Sequence, residues 1–244
     1  MLKIAIGPQS AYVSRPVIRL VLFDIDGTLI QTGGAGEKAF ARVCDNEFNV
    51  PNGTLNLSFA GRTDPAIVRE FFLRHHIEPC QENFVRFFDA YVFWLDHMLG
   101  QLSGRVLPGV ENTICQLRAW PQAPAIGLLT GNIRLGAQIK LNHYRLWHHF
   151  QTGGFGDDHE DRNKIALIAR DRGMALLQEK LRGDQVLVIG DTPLDIECAR
   201  AIDARVLAVA TGSYHVQQLA AHQPTWVAEN LESVRLEEFS QPHR

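Results

Sequence analysis

The chain has 244 residues, 45% of them apolar, which is enough for one full domain core and a smaller second one. Lys and Arg total 24 against 27 Asp and Glu, giving a net charge of −3, so no basic field exists to grip nucleic acid or an anionic membrane. No apolar run approaches the roughly 18 residues of a membrane span, and the start of the chain lacks the basic and apolar regions of a signal peptide, so a cytoplasmic protein is expected.

Residues 1–16 carry no clear element and are read as an extra strand or a loosely ordered extension. The first buried strand is expected over Ile18 to Phe23, a continuous apolar run of the kind covered on both faces. From Gly33 to about Gly104 the pattern turns helical. One helix carries Ala39, Phe40, Val43 and Cys44, and a second follows Pro65 with Ile67, Val68, Phe71 and Phe72. A third spaces Phe84, Phe87, Phe88, Tyr91, Trp94, Leu95 and Met98 by three and four residues, an aromatic stripe suited to a core. The flanks of this interval, Gly33, Gly34 and Gly36 on one side and Gly100, Gly104, Pro108 and Gly109 on the other, have the freedom of hinges. Further apolar runs at Ala125 to Leu129, Val186 to Ile189 and Arg205 to Val209 are separated by helical patterns, with weaker strand signals near His149 to Gln151 and Thr225 to Ala228. The expected fold is α/β, a doubly wound parallel sheet built from residues 1–32 and 105–244, with a smaller all-helical domain, residues 33–104, inserted into it.

Cys44, Cys80, Cys115 and Cys198 stand singly, with no CxxC pair, and are read as free thiols in a reducing compartment. The ten His include His75/His76 and His148/His149 but no zinc-binding spacing.

The chemistry concentrates at strand ends. Asp24-Ile25-Asp26-Gly27-Thr28 follows the first strand, where open parallel sheets bind their ligands. Two carboxylates two residues apart point to one side of an extended chain until a turn at Gly27 re-aims the second. A bound cation would let one ionise while the other keeps a proton, which makes a nucleophile and an acid of the pair.

The stretch LVLFDIDGTL resembles the first signature of the haloacid dehalogenase superfamily, and segments similar to its other signatures follow in order. In phosphatases of that superfamily the first Asp attacks phosphorus and the second is general acid/base, which implies Asp24 and Asp26. The dehalogenases lack the second Asp, so Asp26 favours phosphoryl transfer. Thr130-Gly131-Asn132 resembles the second signature, with the Thr130 hydroxyl and the N–H groups of Gly131 and Asn132 expected to hold the phosphoryl group. The third should be a cation. The Lys-Pro of many relatives is absent, and either Arg162 or Lys164, at the start of a helix running to about Leu181, is expected to serve, with Arg162 preferred for its position. Gly190-Asp191-Thr192-Pro193-Leu194-Asp195 resembles the fourth, which implies Mg²⁺ held by Asp24, the Asp26 carbonyl and Asp191, with Asp195 either a direct ligand or a support for its waters. Relatives often have Gly where Asp203 stands here, and Asp tolerates the left-handed cap that position needs.

Within the helical insertion, Phe59-Ala60-Gly61-Arg62-Thr63-Asp64-Pro65 joins two helices and is expected to meet the substrate, with Arg62 suited to a carboxylate or phosphate. The resemblance implies a Mg²⁺-dependent phosphatase acting through an aspartyl-phosphate on a small phosphorylated metabolite, phosphoglycolate-like by analogy. Its partner would be a small-molecule phosphate ester, with no nucleic acid and no membrane, and the protein a monomer or homodimer. A phosphomutase of the β-phosphoglucomutase type and a non-catalytic binding or scaffolding protein on the same fold are the competing readings.

Overall fold

The computed structural model describes residues 17–236 and 239. The sequence reading of residues 1–16 lies outside them. In chain order the elements are β1 (Leu20–Phe23), β2 (Ile30–Gln31), α1 (Ala35–Phe48), α2 (Asp64–Arg74), α3 (Gln81–Gln101), β3 (Arg105–Val106), α4 (Val110–Arg118), β4 (Ala125–Leu129), α5 (Arg134–His143), β5 (Thr152–Gly154), α6 (Arg162–Leu177), β6 (Val186–Gly190), α7 (Pro193–Arg200), β7 (Arg205–Val209), α8 (Val216–Ala221) and β8 (Trp226–Ala228).

Six strands form a parallel sheet in the order β5-β4-β1-β6-β7-β8, flanked by helices. Alternation along each strand divides the core into two layers. Val21, Phe23, Ile126, Leu128, Leu187 and Ile189 pack on one face against α4 and α5, while Leu20, Leu22, Leu129, Val186 and Val188 pack on the other against α6 and α7. That double coverage is why the strands read as continuous apolar runs. From β1 the chain adds β4 and β5 on one side, then crosses back to add β6, β7 and β8 on the other. The ends of β1, β4 and β6 therefore flank the crevice where such a sheet reverses direction.

The helices α1, α2 and α3 build a third apolar cluster, in which Phe40, Phe71, Phe72, Phe87 and Tyr91 are fully buried. The aromatic stripe is thus mostly core, as its spacing suggested. Where the chain leaves and re-enters the sheet domain, β2 and β3 pair antiparallel, Ile30 with Val106 and Gln31 with Arg105. A two-residue ribbon carries no periodicity, and the glycine-rich flanks concealed it. Gly100 lies within α3 and is no hinge.

Two expectations shift. The weak strand near His149 to Gln151 forms at Thr152–Gly154, because Trp147–His149 is a 3₁₀ turn and the strand is made by backbone pairing with β4. Its glycines are needed for packing, since a Cβ on Gly154 would sit 2.6 Å from the Ile165 carbonyl oxygen. The helix from Arg162 stops at Leu177, where Gln178 takes a left-handed φ of 53°. Asp203 also adopts the left-handed conformation, at φ 54°. All four cysteines are free thiols. No helix among the described residues is long and apolar enough to cross a membrane.

Phe71 has ring neighbours Phe48, Phe72 and Phe87 at 5.8, 5.6 and 5.9 Å between centroids. Phe71→Ala should destabilise the helical layer by about 3–5 kcal/mol in urea unfolding, the cost of a large buried cavity. A loss below about 1 kcal/mol would mean that the aromatic cluster is loosely packed.

Candidate active site

Asp24 stands one residue past β1, its N–H bonded to the Ile189 carbonyl at 2.9 Å, so the sheet register itself fixes its backbone. The turn that follows needs glycine twice over: Gly27 has φ 83°, and a Cβ there would lie 2.4 Å from Asp191 Oδ2. This close approach brings Asp191, at the end of β6, beside the first segment, where Thr28 Oγ1 donates to Asp191 Oδ1 at 3.1 Å.

Arg162, the first residue of α6, is buried and extends beneath Asp24 and Asp195. Asp161 caps the helix by accepting from the Asn163 N–H at 2.9 Å, which fixes where α6 begins. Arg162 Nη2 lies 3.1 Å from Asp24 Oδ1 and 2.5 Å from Asp195 Oδ1, and Nη1 donates to the Gly61 carbonyl at 3.0 Å. Lys164 is exposed in the same turn of α6. Of the two cations proposed for the third signature, only Arg162 reaches the carboxylates. Two residues on a helix are 200° apart, so one side chain facing inward puts the other outward.

Asp195 has both oxygens occupied: Oδ2 accepts from the Thr192 N–H at 3.0 Å and the Thr192 hydroxyl at 2.7 Å, and Oδ1 receives Arg162. It is built to hold Arg162 and the start of α7. Ligand oxygens of Asp24, Asp191 and Asp195 all lie within 4.8 Å of one another. Three buried carboxylates face one guanidinium. Burial pushes the Asp24 carboxyl up to about 6, with Asp195 and Asp26 adding to the shift and Arg162 opposing it. Burial likewise raises Asp191 well above the usual carboxylate range, reinforced by Asp195 and Asp24. Arg162 stays cationic against its own burial because Asp195 and Asp24 hold it so.

Thr130, past the end of β4, is fully buried, and its oxygen accepts from the Asn132 N–H at 3.2 Å and Asn132 Nδ2 at 2.9 Å. Its own O–H has no acceptor among the described residues. The buried Gly131 N–H has no hydrogen-bond partner among the described residues, and Arg162 Nε is likewise buried without one. Unpaired buried donors are costly, so a cluster of them beside carboxylates marks a place for an anionic ligand. The Asn132 N–H is already engaged by Thr130, which removes it from the donors expected for a phosphoryl group.

Asp26 joins this cradle through Asn132: its Oδ2 accepts from Asn132 Nδ2 at 2.9 Å and from Lys140 Nζ at 2.6 Å. Lys140 escaped the sequence reading. The available signal was its place on the inward face of α5 with Gly136, Ala137 and Leu141, a pattern normally filled by apolar residues.

A cavity of about 470 Å³ connects these groups to the helical layer, with Phe40, Phe59, Ile67, Tyr91, Asp64 and Glu37 on that side. The Gly61 to Asp64 segment lies on the sheet domain's loops. The Asp64 N–H donates to the Gly131 carbonyl at 2.8 Å, the Ile133 N–H donates to Asp64 Oδ2 at 2.9 Å, and a Cβ on Gly131 would be 2.1 Å from the Arg62 carbonyl oxygen. The Arg62 guanidinium is engaged elsewhere: Nη1 meets Glu70 Oε2 at 2.5 Å and Nη2 donates to the Ala66 carbonyl at 3.5 Å. Thr63, by accepting from the Ala66 N–H at 3.3 Å, caps α2.

Burial raises Asp64 from an ordinary 3.8 to about 7; Lys140 and the Ile133 N–H oppose the shift, and Asp26 and Asp157 add to it. Between those values the folded chain keeps a proton that the unfolded chain has released, so stability falls as pH rises from about 4 to about 7 and then levels. Asp64→Asn keeps an acceptor for Ile133 without the charge. Its stability relative to the native chain should therefore improve from pH 5 to pH 8, by on the order of 3 kcal/mol, read from paired denaturation curves. Parallel curves across that range would show that Asp64 titrates normally.

Residues 21–209 match the family of haloacid dehalogenase-like hydrolases. No curated protein matches. Among solved structures, the fold is shared with a predicted phosphoglycolate phosphatase from Haemophilus somnus 129pt, at TM-score 0.69 and 18% identity, covering 93% of this chain and 99% of that one. It is shared with a family IA, variant 3 hydrolase from Entamoeba histolytica, at TM-score 0.70 and 18% identity over 91% and 97% of the two chains. A predicted phosphatase from Clostridium acetobutylicum gives TM-score 0.65 and 20% identity over 88% and 95%. With its parallel sheet, its ordered signature segments and a match spanning most of its length, the chain belongs to the haloacid dehalogenase-like hydrolase family.

Proposed function

We propose that the protein is a Mg²⁺-dependent phosphatase that hydrolyses a small phosphorylated metabolite through a phosphoryl group carried on Asp24. The observation that carries this reading is the convergence of Asp24, Asp191 and Asp195, the first and last paired with Arg162, beside a Gly131 N–H and a Thr130 O–H that have no partner among the described residues.

The donor set fits a hard divalent cation. Asp24 and Asp191 are buried oxygen groups whose raised proton affinity reflects burial first and the neighbouring carboxylates second. With the Asp26 carbonyl they would hold Mg²⁺, and Asp195 would act through Arg162 and α7. When bound, the ion neutralises phosphate charge so that an anionic carboxylate can approach. Asp24 attacks phosphorus as the bond to the leaving oxygen breaks, and Asp26 supplies that oxygen with a proton. Asp26 then takes a proton from the water that releases phosphate and frees Asp24. Thr130, Gly131 and Arg162 hold the oxygens of the transferring group. The helical layer, residues 33–104, acts as a cap over the cavity and selects the leaving group.

Phosphoglycolate heads the substrates to be tried, supported by the name of the Haemophilus somnus structure. Recognition of its carboxylate by Arg62 requires that side chain to leave Glu70. Four free thiols fit a reducing compartment, and we read the protein as cytoplasmic, a monomer or homodimer with a small ester as its only required partner.

A panel of phosphorylated metabolites with Mg²⁺, followed for both phosphate and isomerised sugar, tests the reading. Phosphate release is expected, and isomerisation without it would indicate a phosphomutase. Asp24→Asn should lower turnover on the order of a thousandfold or more, and near-normal turnover in that variant would end the covalent account.

A further inference from the structure

We infer that Lys140 is a positioning residue for the Asp26 carboxylate, anchoring one oxygen so that the other meets the leaving group. The inference rests on the reading of Asp26 as acid and base. Lys140 is 4% exposed, on a helix whose neighbouring inward positions are Gly136, Ala137 and Leu141. An ammonium in such a place needs a fixed partner, since an unpaired buried charge is strongly destabilising.

Its partners form a closed triangle. Lys140 Nζ donates to Asp26 Oδ2 and to Asn132 Oδ1, each at 2.6 Å. Asn132 Nδ2 donates to the same Asp26 Oδ2 at 2.9 Å and to Thr130 Oγ1 at 2.9 Å. With its carbonyl turned to an ammonium, the Asn132 amide has one orientation that satisfies all three groups. Asp26 Oδ2 thus receives two donors while Oδ1 takes no side-chain hydrogen bond among the described residues. The Asp26 side chain is 42% exposed, in a turn that alone does not set its rotamer. Lys140 and Asn132 supply that constraint, and through Thr130 tie it to the phosphoryl cradle.

The helical layer approaches the ammonium closely. A Cβ on Gly36, in the first turn of α1, would lie 3.5 Å from Lys140 Nζ and 3.7 Å from the Tyr91 hydroxyl. The anchor is therefore covered by the same layer that covers the cavity, where a charged hydrogen bond is stronger than in water.

The test uses Lys140→Met in the full-length protein with saturating Mg²⁺ and two substrates: an alkyl phosphate hydrolysed by the native chain, and para-nitrophenyl phosphate, whose leaving group needs little help from an acid. For the alkyl ester, kcat should fall roughly tenfold to a hundredfold with KM changed less than about threefold. The pre-steady-state burst of para-nitrophenolate should be preserved. Adding Lys140→Met to Asp26→Asn should cost nothing further, because the lysine acts through the carboxylate. A para-nitrophenolate burst slowed as much as the alkyl ester's turnover, no loss on the alkyl ester, or full additivity in the double variant would overturn the role. If the Met variant does not fold, Lys140→Gln, polar and uncharged, is read by the same criteria. Native turnover in Asp26→Asn would overturn the role by removing the acid/base reading beneath it, and is distinguished from the other outcomes because it needs no change at Lys140.

Discussion

Three carboxylates buried around one guanidinium dominate this molecule. Asp24, Asp191 and Asp195 come from the ends of β1 and β6 and the first turn of α7, and Arg162 reaches Asp24 and Asp195 from the start of α6. Like charges at this range repel, and burial removes the water that would screen them. Burial raises the proton affinity of Asp24 and Asp191, and that repulsion adds to the rise. Such a cluster persists only in a frame that defines its positions, which here is a parallel sheet packed on both faces. The same uncompensated charge suits a divalent cation and, with it, a phosphate ester.

The seam between sheet and helical layer carries the second constraint. Gly131 touches the Arg62 carbonyl so closely that no side chain fits, and Asp64 both donates to and accepts from the loop after β4. Thr63 donates to the Glu160 carbonyl, and Arg162 donates to the carbonyl of Gly61. One arginine therefore contacts both the proposed nucleophile and the Gly61 loop of the helical layer. The helical layer and the carboxylate cluster are thus joined through shared hydrogen bonds.

Much of this was legible in the residues. Runs buried on both faces announce themselves as continuous apolar stretches, so β1, β4, β6 and β7 were found in place. Asp24, Asp26, Thr130 and Asp191 follow strands, where the resemblance to the family's signatures implied them. What stayed hidden depends on distance between segments remote in sequence. Lys140 looks like an ordinary helix lysine until Asp26, far away in the chain, is set beside it. Arg62 was read as free to meet substrate because nothing local reveals Glu70 as its partner. Choosing Arg162 over Lys164 required helix phase, which turns on the single residue where Asp161 starts α6. The β2–β3 ribbon and β5 are held by backbone pairing, to which hydrophobic pattern is blind.

The account depends most on Asp24 becoming covalently phosphorylated. Acid quenching during turnover of an active phosphate ester, followed by mass spectrometry of the peptide that contains Asp24, tests this directly. A transient phosphoryl group on Asp24, absent before substrate is added, is the predicted result. Sustained phosphate release with that peptide unmodified at every quench time, or a phosphoryl group on another residue, would contradict it.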